Sequence, residues 1–314
     1  MNINTKISKE LRSVEALIKR DFSKENTISG LYKYIFKSNG KKIRARLCLT
    51  TSSKTKNKEK IKLASVIELL HTATLIHDDV VDESPTRRGI RSVNNVWTNA
   101  HGVLIGDYIY SKAFIYLVDI GNKKILKELA DTTNDIAQGE LVQLDAINNV
   151  NITLNKLKKI SYFKTGRLFE AAAKTGAIIA NEKKAFNYNV SECAKNLGIL
   201  FQITDDLLDY SDSKKIGKPV FQDIKEGKVT YPFFYAYKNA NTREKKRLKE
   251  LLGTSRNLKS KDLELIKSLE GIRKTRQLAD RYHIKAVESA KKIKNLDIRE
   301  EMIELADTAL NRDK

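Results

Sequence analysis

The sequence predicts an all-α protein, and three observations support this prediction. Apolar residues recur at helical spacing, as they do at Leu11, Val14, Leu17 and Ile18. The alternation of apolar and polar residues that is typical of half-buried strands is scarce. The chain contains only three prolines, and we expect each to lie beyond the end of a helix: Pro85, Pro219 and Pro232.

The helical periodicity continues at 63–70, 154–160 and 263–269. A chain of 314 residues has room for one large domain or two ordinary ones. No linker rich in Gly, Ser or Pro, no repeat and no low-complexity tract divides it. We therefore expect a single domain over residues 1–314 with roughly ten or more helices.

The composition, 41% hydrophobic and 31% charged, is typical of a water-soluble globular protein. No apolar run approaches the roughly 18 residues of a membrane span, and the N-terminal residues lack the apolar core of a secretory signal. A cytoplasmic location is expected. Cys48 and Cys193 belong to no disulfide or zinc spacing, so we expect both to be buried small hydrophobes.

The net charge of +20 allows nucleic acid, anionic lipid or a polyanionic small substrate as the partner. The lysines are spread over the whole chain, with no aromatic-interleaved stripe and no known nucleic-acid-binding pattern. We therefore expect no nucleic-acid partner, a mostly solvated basic surface, and at most transient membrane contact.

The first acidic cluster ends a helical run that begins near Ile61. Its segment, HTATLIHDDVVDESPTRRG at 71–89, contains three aspartates and two arginines: Asp78, Asp79, Asp82, Arg87 and Arg88. On a helix, Asp78 and Asp82 share one face, and Asp79 lies on its flank. Because the helix dipole disfavours negative charge at a C-terminus, this cluster should bind something positive.

A second cluster repeats the spacing, again after a helical apolar run. The segment FQITDDLLDY, at 201–210, contains Asp205, Asp206 and Asp209. At ordinary aspartate frequency, one such motif is expected by chance in about one chain in twenty of this length, and two in on the order of one in a few hundred. The pair is therefore informative where a single copy would not be.

Paired carboxylates with few histidines favour Mg²⁺ over zinc, because Mg²⁺ takes a few carboxylates and completes its shell with water and phosphate oxygens. Basic residues follow each cluster, with Lys218 and Lys228 after the second. The EF-hand pattern is absent, which argues against Ca²⁺ loops. Two solvated acidic helix ends remain the structural alternative to a metal-bridged polyphosphate site.

The chain resembles the trans-isoprenyl diphosphate synthases, also called polyprenyl synthetases. The likeness extends from GKKIRARL at 40–47 to IELADTALNRDK at the end of the sequence. The sequence around the first cluster, HTATLIHDDVVDE, is most similar to that of the octaprenyl diphosphate synthases. The resemblance implies a helical bundle of the isoprenoid synthase type around a central cavity, with the two aspartate motifs facing each other.

The resemblance also implies the residues of the site. Three Mg²⁺ ions and an allylic diphosphate would be bound, two ions by Asp78 and Asp82 and the third by Asp205, with support from Asp79, Asp206 and Asp209. The allylic diphosphate would be held by Arg87, Lys164, Thr165, Gln202, Lys218 and Lys228. Isopentenyl diphosphate would bind without metal to Lys41, Arg44, His71 and Arg88. The spacing agrees for one of these, because His71 precedes Asp78 by two helical turns, about 10 Å along one face.

The implied reaction joins isopentenyl diphosphate head-to-tail onto an allylic diphosphate such as farnesyl diphosphate. In the family, short products accompany a bulky aromatic residue four or five positions before the first motif, where this chain has Thr74 and Ala73. A medium or long polyprenyl product is therefore expected, C40 for quinone side chains being the specific expectation. A shorter-chain geranylgeranyl or farnesyl synthase is the alternative.

The resemblance further implies a homodimer. Three positions depart from the family pattern: Asn39 and Phe221 stand where glycine is usual, and Ala45 stands where proline is usual. Glycine often marks a positive φ angle, so Phe221 matters most. Three other functions remain open: a terpene cyclase, disfavoured by the residues matched to isopentenyl diphosphate; a non-catalytic partner subunit, disfavoured by six retained carboxylates; and a binder of nucleic acid or membrane surfaces.

Overall fold

Amphipathic segments at helical spacing form most of the chain. The computed structural model describes residues 3–20, 25–37, 40–87, 89–210, 221–254 and 260–312. The first helices are α1 (Ile3–Arg20), α2 (Asn26–Ile35), α3 (Ile43–Thr51), α4 (Glu59–Val81), α5 (Val93–Val96), α6 (Asn99–Ile120), α7 (Lys123–Leu144) and α8 (Leu154–Ser161). A π-helical segment, Tyr162–Gly166, follows α8 and is called the π-turn below.

The remaining helices are α9 (Arg167–Ile179), α10 (Lys184–Leu208), α11 (Gln222–Lys225), α12 (Tyr231–Asn239), α13 (Thr242–Leu251), α14 (Ser260–Ser268), α15 (Gly271–Lys291) and α16 (Leu296–Leu310). Among the described residues, the strands are a two-residue pair in which β1 (Thr86–Arg87) lies antiparallel to β2 (Ile90–Arg91). The all-α prediction is confirmed.

Backbone contacts divide the chain into two compact units. The first comprises Met1–Thr133, Leu168–Ser191 and Ile293–Met302, and the second comprises Asn134–Arg167, Glu192–Lys292 and Ile303–Lys314.

In the first unit, α4 is the central helix and packs against α1, α3 and α6. Three of its apolar side chains, Leu63, Ile67 and Leu70, are fully buried. Glycine allows α6 to approach α4 closely, because a Cβ on Gly102 would lie 2.5 Å from Cγ2 of Val80. This close packing fixes the C-terminal turns of α4, where the first acidic motif lies.

In the second unit, α12 packs against α14 and α15 and buries Tyr231 and Phe233. The expectation that every proline lies beyond a helix end is wrong for Pro232, which occupies the first turn of α12. Proline is tolerated there because the first N–H groups of a helix have no partner within it. Pro219 lies outside the described residues.

Within the described ranges, we find no helix that combines the length and the apolar character needed to cross a bilayer.

Candidate active site

The first acidic motif lies at the end of α4, in the first unit. Asp78 and Asp79 belong to the last helical turn, and Asp82 caps the helix, its backbone N–H donating to the carbonyl of Asp78 at 2.8 Å. Asp79 is buried, whereas Asp78 and Asp82 are half-buried. The motif therefore has two partly exposed carboxylates, Asp78 and Asp82, beside the buried carboxylate of Asp79.

The short β1–β2 hairpin after α4 places Arg87 against the buried carboxylate of Asp79. Nε of Arg87, on β1, donates to Oδ1 of Asp79 at 2.8 Å. Burial raises the pKa of Asp79, and the hydrogen bond and charge of Arg87 oppose that rise. Arg87, one of the two arginines that follow the first acidic cluster in sequence, therefore contacts that cluster directly. Arg88 is outside the described residues.

A contact that the sequence analysis missed holds the same turn of α4. Nε2 of His77 lies 3.2 Å from the carbonyl oxygen of Val103 and 3.3 Å from Oδ1 of Asp107, both on α6. A Cβ on Gly106 would lie 2.2 Å from this Nε2, so the ring occupies the space that glycine leaves. Two glycines four residues apart, Gly102 and Gly106, are the feature of the sequence that could have predicted this close contact between helices.

Two residues matched to isopentenyl diphosphate meet in the first unit. NH1 of Arg44, in the first turn of α3, lies 3.0 Å from Nε2 of His71 on α4. The Arg44 guanidinium also lies over the Phe169 ring, 4.6 Å from its centroid. Lys41 is exposed, two residues before α3 begins.

A cavity of about 100 Å³ is lined by both His71 and Asp79 of the first motif. It is lined by carboxylates and cations that include Lys42, His71, Asp79, Arg87 and Arg91. A small anionic group would find several positive partners here. The cavity therefore combines cations with carboxylates and apolar side chains beside an acidic helix end.

The departure at Ala45 has a local explanation. The backbone N–H of Ala45 donates to Oε1 of the buried Glu68 at 3.0 Å. Proline has no N–H and would leave this carboxylate oxygen without that donor. The bond ties the start of α3, and with it Arg44, to α4.

The two residues matched to chain length, Ala73 and Thr74, both have small side chains but differ in burial. Ala73 is fully buried within the first unit. Thr74 is half-buried, and its Oγ1 donates to the carbonyl of His71 at 2.8 Å.

The second acidic motif lies at the end of α10, in the second unit. Asp205 is exposed, and its Oδ1 lies 3.3 Å from NH2 of Arg312. The Arg312 guanidinium also lies over the ring of Phe201, 3.8 Å from the centroid. Arg312 is 107 residues away in sequence, so no local spacing could have identified it.

Asp206 ends a chain of hydrogen bonds that includes two residues matched to the allylic diphosphate. Oγ1 of Thr165 donates to Oε1 of Gln202 at 2.6 Å, and Nε2 of Gln202 donates to Oδ1 of Asp206 at 2.8 Å. The backbone N–H of Tyr231 lies 3.4 Å from Oδ2 of Asp206. Burial raises the pKa of Asp206 despite these donors, and the charge of Asp205 raises it further.

Asp209 caps the short helix α11. Its two carboxylate oxygens accept from the backbone N–H groups of Gln222 at 2.9 Å and Asp223 at 3.2 Å. Burial raises the pKa of Asp209, and these two N–H groups oppose the rise. Phe221, which precedes α11, has φ of +62°. The left-handed backbone that glycine adopts without strain is therefore present here with a phenylalanine.

Two of the lysines matched to the allylic diphosphate pair with glutamates in the second unit. Nζ of Lys164, in the π-turn, lies 3.0 Å from each carboxylate oxygen of Glu140. Nζ of Lys228 lies 2.7 Å from Oε2 of Glu226. Lys218 is outside the described residues. In the second unit, the structure thus brings together Thr165, Gln202 and Asp206, whereas Lys164 pairs with Glu140.

The donor chemistry of both motifs fits Mg²⁺. In the part of the chain that the structure describes, no group of three or more His, Cys, Asp or Glu side chains could hold a metal alone. Mg²⁺ does not require one, because it keeps several waters and takes oxygens from the substrate. Desolvation and the repulsion between neighbouring carboxylates disfavour the ionised forms of Asp206 and Asp209, and a nearby cation would offset this cost.

Known prenyl diphosphate synthases are similar to this chain in sequence. The family model for polyprenyl synthetase matches residues 25–269. The octaprenyl diphosphate synthase of Escherichia coli is 37% identical over 238 residues, 74% of this chain and 74% of its own. The all-trans-nonaprenyl-diphosphate synthase (geranyl-diphosphate specific) of Rhodobacter capsulatus is 39% identical over 236 residues, 74% of this chain and 72% of its own.

Solved structures share the fold. A polyprenyl synthase from Caulobacter crescentus, complexed with calcium and isoprenyl diphosphate, has a TM-score of 0.93 at 32% identity and covers 99% of this chain and 97% of its own. A decaprenyl diphosphate synthase from Rhodobacter capsulatus has a TM-score of 0.92 at 31% identity and covers 99% of this chain and 98% of its own. The chain therefore belongs to the polyprenyl synthetase family and is a prenyltransferase.

Proposed function

We propose that this prenyltransferase condenses isopentenyl diphosphate head-to-tail onto an allylic diphosphate, farnesyl diphosphate being the expected primer, in a Mg²⁺-dependent reaction. The observation that carries the proposal is the second motif: the buried Asp206 is bonded through Gln202 to Thr165, beside the half-buried Asp209, and desolvation raises the pKa of both carboxylates. Such an arrangement suits a metal-bridged diphosphate far better than a solvated helix end.

The allylic diphosphate would be bound by metals and cations together. Asp78 and Asp82 would hold two of three Mg²⁺ ions and Asp205 the third, with support from Asp79, Asp206 and Asp209. When bound, Mg²⁺ would supply Lewis-acid stabilisation of the departing pyrophosphate. The side chains that would hold the phosphate oxygens are Arg87, Lys164, Thr165, Gln202, Lys218 and Lys228. Each donates to charge that grows as the carbon–oxygen bond breaks.

The second substrate would be bound by cations alone: Lys41, Arg44, His71 and Arg88. Departure of pyrophosphate leaves an allylic carbocation, and the double bond of isopentenyl diphosphate attacks it. The resulting cation loses a proton to the released pyrophosphate, which restores a double bond and balances the charge. The chain's task is to orient both substrates and to exclude water from the cation.

We propose a medium or long product, with C40 for quinone side chains as the specific expectation, because Ala73 and Thr74 are small. Replacing Ala73 with Phe should shorten the product, because a bulky aromatic residue at this position accompanies short products in the family. The measurement is the size of the dephosphorylated prenols, compared with those of Thr74→Ser as the control. An unchanged product length in Ala73→Phe would refute the assignment of this position.

The test of the function itself is an incubation of purified protein with Mg²⁺, labelled isopentenyl diphosphate and farnesyl diphosphate, followed by sizing of the products. A ladder that ends in one discrete long prenol is expected, and omission of Mg²⁺ should abolish it. A short product would favour the geranylgeranyl or farnesyl alternative. No incorporation at all would favour a partner subunit that requires another chain.

We also propose a single domain over residues 1–314 that works as a homodimer. One face of α6 exposes Leu104, Ile115 and Val118, whose exposed fractions are 67%, 56% and 68%. Exposed apolar residues on one helix face are typical of subunit contacts. Light scattering during gel filtration should give twice the mass of 35.7 kDa, and Leu104→Lys with Val118→Lys should lower it to the monomer.

A further inference from the structure

The π-turn that carries Lys164 lies against a glycine–glutamate pair on α7. A Cβ on Gly139 would lie 2.7 Å from Cβ of Phe163 and 3.1 Å from the backbone nitrogen of Lys164. Only a residue without a side chain allows α7 to approach the π-turn backbone this closely. Gly139 therefore sets the distance between α7 and Lys164.

The next residue on α7 contacts the Lys164 side chain itself. Both carboxylate oxygens of Glu140 lie 3.0 Å from Nζ of Lys164. The two side chains retain only 25% and 21% of their exposure, so the contact is shielded from bulk water. A charge-assisted contact with such geometry is stronger than an exposed surface ion pair.

The opposite side of the π-turn is held as firmly by α10. A Cβ on Gly166 would lie 3.2 Å from Cγ1 of Ile199, and Oγ1 of Thr165 donates to Gln202. Lys164 is thus directed to α7 and Thr165 to α10, from adjacent positions of one π-helical turn. The extra residue of a π-turn makes this division possible, and such turns are frequent at functional sites.

We propose that Gly139 and Glu140 are positioning residues for the reaction: they hold the Lys164 ammonium where the allylic diphosphate requires it. This inference rests on the proposed function, in which Lys164 binds that diphosphate. A lysine side chain loses rotamer freedom when it is ordered, and Glu140 would order Lys164 before the substrate arrives. An ammonium has three N–H donors, so contact with one carboxylate does not exhaust them.

The first test is the kinetics of Glu140→Ala and Glu140→Gln. We expect the KM for the allylic diphosphate to rise about tenfold in Glu140→Ala, the scale of one charge-assisted hydrogen bond. Glu140→Gln keeps an acceptor oxygen and should rescue part of the loss. The KM for isopentenyl diphosphate should stay within about twofold. Equal rises for both substrates would mean a merely structural role and would overturn the proposal.

The matched control is Glu128→Gln. Glu128 also lies on α7 and pairs with a lysine, Lys174, at 2.6 Å, but neither residue belongs to the proposed site. This variant loses one α7 ion pair of the same chemistry and should leave both KM values unchanged.

The second test asks whether Glu140 acts through Lys164. In a Lys164→Ala background, the further change Glu140→Ala should raise the allylic KM by less than about twofold, because the group that it positions is absent. Independent, multiplicative effects of the two changes would contradict positioning. Gly139→Ala should resemble Glu140→Ala in kinetics, with its helical circular dichroism as the check that it folds.

A binding measurement separates this proposal from the proposed function. Calorimetry with Mg²⁺ and inorganic pyrophosphate, without turnover, should show an affinity about tenfold lower in Glu140→Ala than in wild type. If wild type binds pyrophosphate but makes no product, the proposed function fails. The difference in pyrophosphate affinity between wild type and Glu140→Ala still decides the positioning role. Equal pyrophosphate affinity in both proteins would overturn the positioning role, whatever the activity.

Discussion

At the residue scale, Phe221 combines an unfavourable backbone with favourable packing. Its φ of +62° costs a side-chain-bearing residue roughly 1–2 kcal/mol. Its ring is buried, with 7% exposed, and meets Tyr210 edge-on at 5.8 Å between centroids. Removal of a buried Phe side chain costs about 3–5 kcal/mol, which exceeds the strain. The packing therefore explains why a bulky residue persists where glycine would relax the backbone.

We predict that Phe221→Gly, although it restores the family's glycine, lowers the free energy of unfolding by roughly 2–3 kcal/mol. The measurement is urea denaturation at fixed pH. Asn181→Gly is the control, because Asn181 is exposed and also left-handed, with φ of 54°. It should change stability by less than about 1 kcal/mol. A Phe221→Gly protein as stable as wild type would show that the ring contributes little.

At the element scale, the close approach of α6 to α4 supports the turn that carries Asp78 and Asp79. Gly102→Ala would place a Cβ 2.5 Å from Cγ2 of Val80. Val80 cannot rotate away easily, since a β-branched residue in a helix has one strongly preferred rotamer. We predict a loss of about 1–3 kcal/mol in stability, measured by thermal unfolding, together with weaker Mg²⁺-dependent activity because the acidic turn is displaced.

The same substitution should have the opposite sign where no neighbour is close. Gly30 lies inside α2, and a Cβ there would meet nothing within 4 Å. Gly30→Ala should therefore stabilise the protein by about 0.5–1 kcal/mol, the difference in helix propensity. If Gly102→Ala were also stabilising, helix propensity alone would govern both sites and the packing argument would fail.

Elements also show what the sequence can and cannot predict. Apolar spacing predicted the helices that became α1, α4, α8 and α14, and it placed the first acidic motif at the end of α4. It could not predict the π-turn, because one extra residue per turn leaves no periodic trace. Nor could it find Arg312 beside Asp205 or Glu140 beside Lys164, since those contacts join residues far apart in sequence.

At the scale of the whole molecule, the buried carboxylates couple stability to cations. The folded state raises the pKa of Asp206 to about 7 and of Asp209 to about 6, from 3.8. A carboxyl group whose pKa is raised by folding favours the folded state while protonated, so this stability is lost as pH rises through these values. At pH 8 both groups are ionised, and a bound divalent cation would offset the cost.

We therefore predict that Mg²⁺ with inorganic pyrophosphate raises the Tm at pH 8 by on the order of 5 °C, since ligand at 100 times its Kd contributes about 2.7 kcal/mol. Excess EDTA should reverse the shift. Asp205→Asn is the matched variant: Asp205 is exposed, and its pair with Arg312 contributes at most about 1 kcal/mol. Its metal-free Tm should therefore stay near that of wild type while its response to Mg²⁺ falls. An equal response in both proteins would remove Asp205 from the metal site.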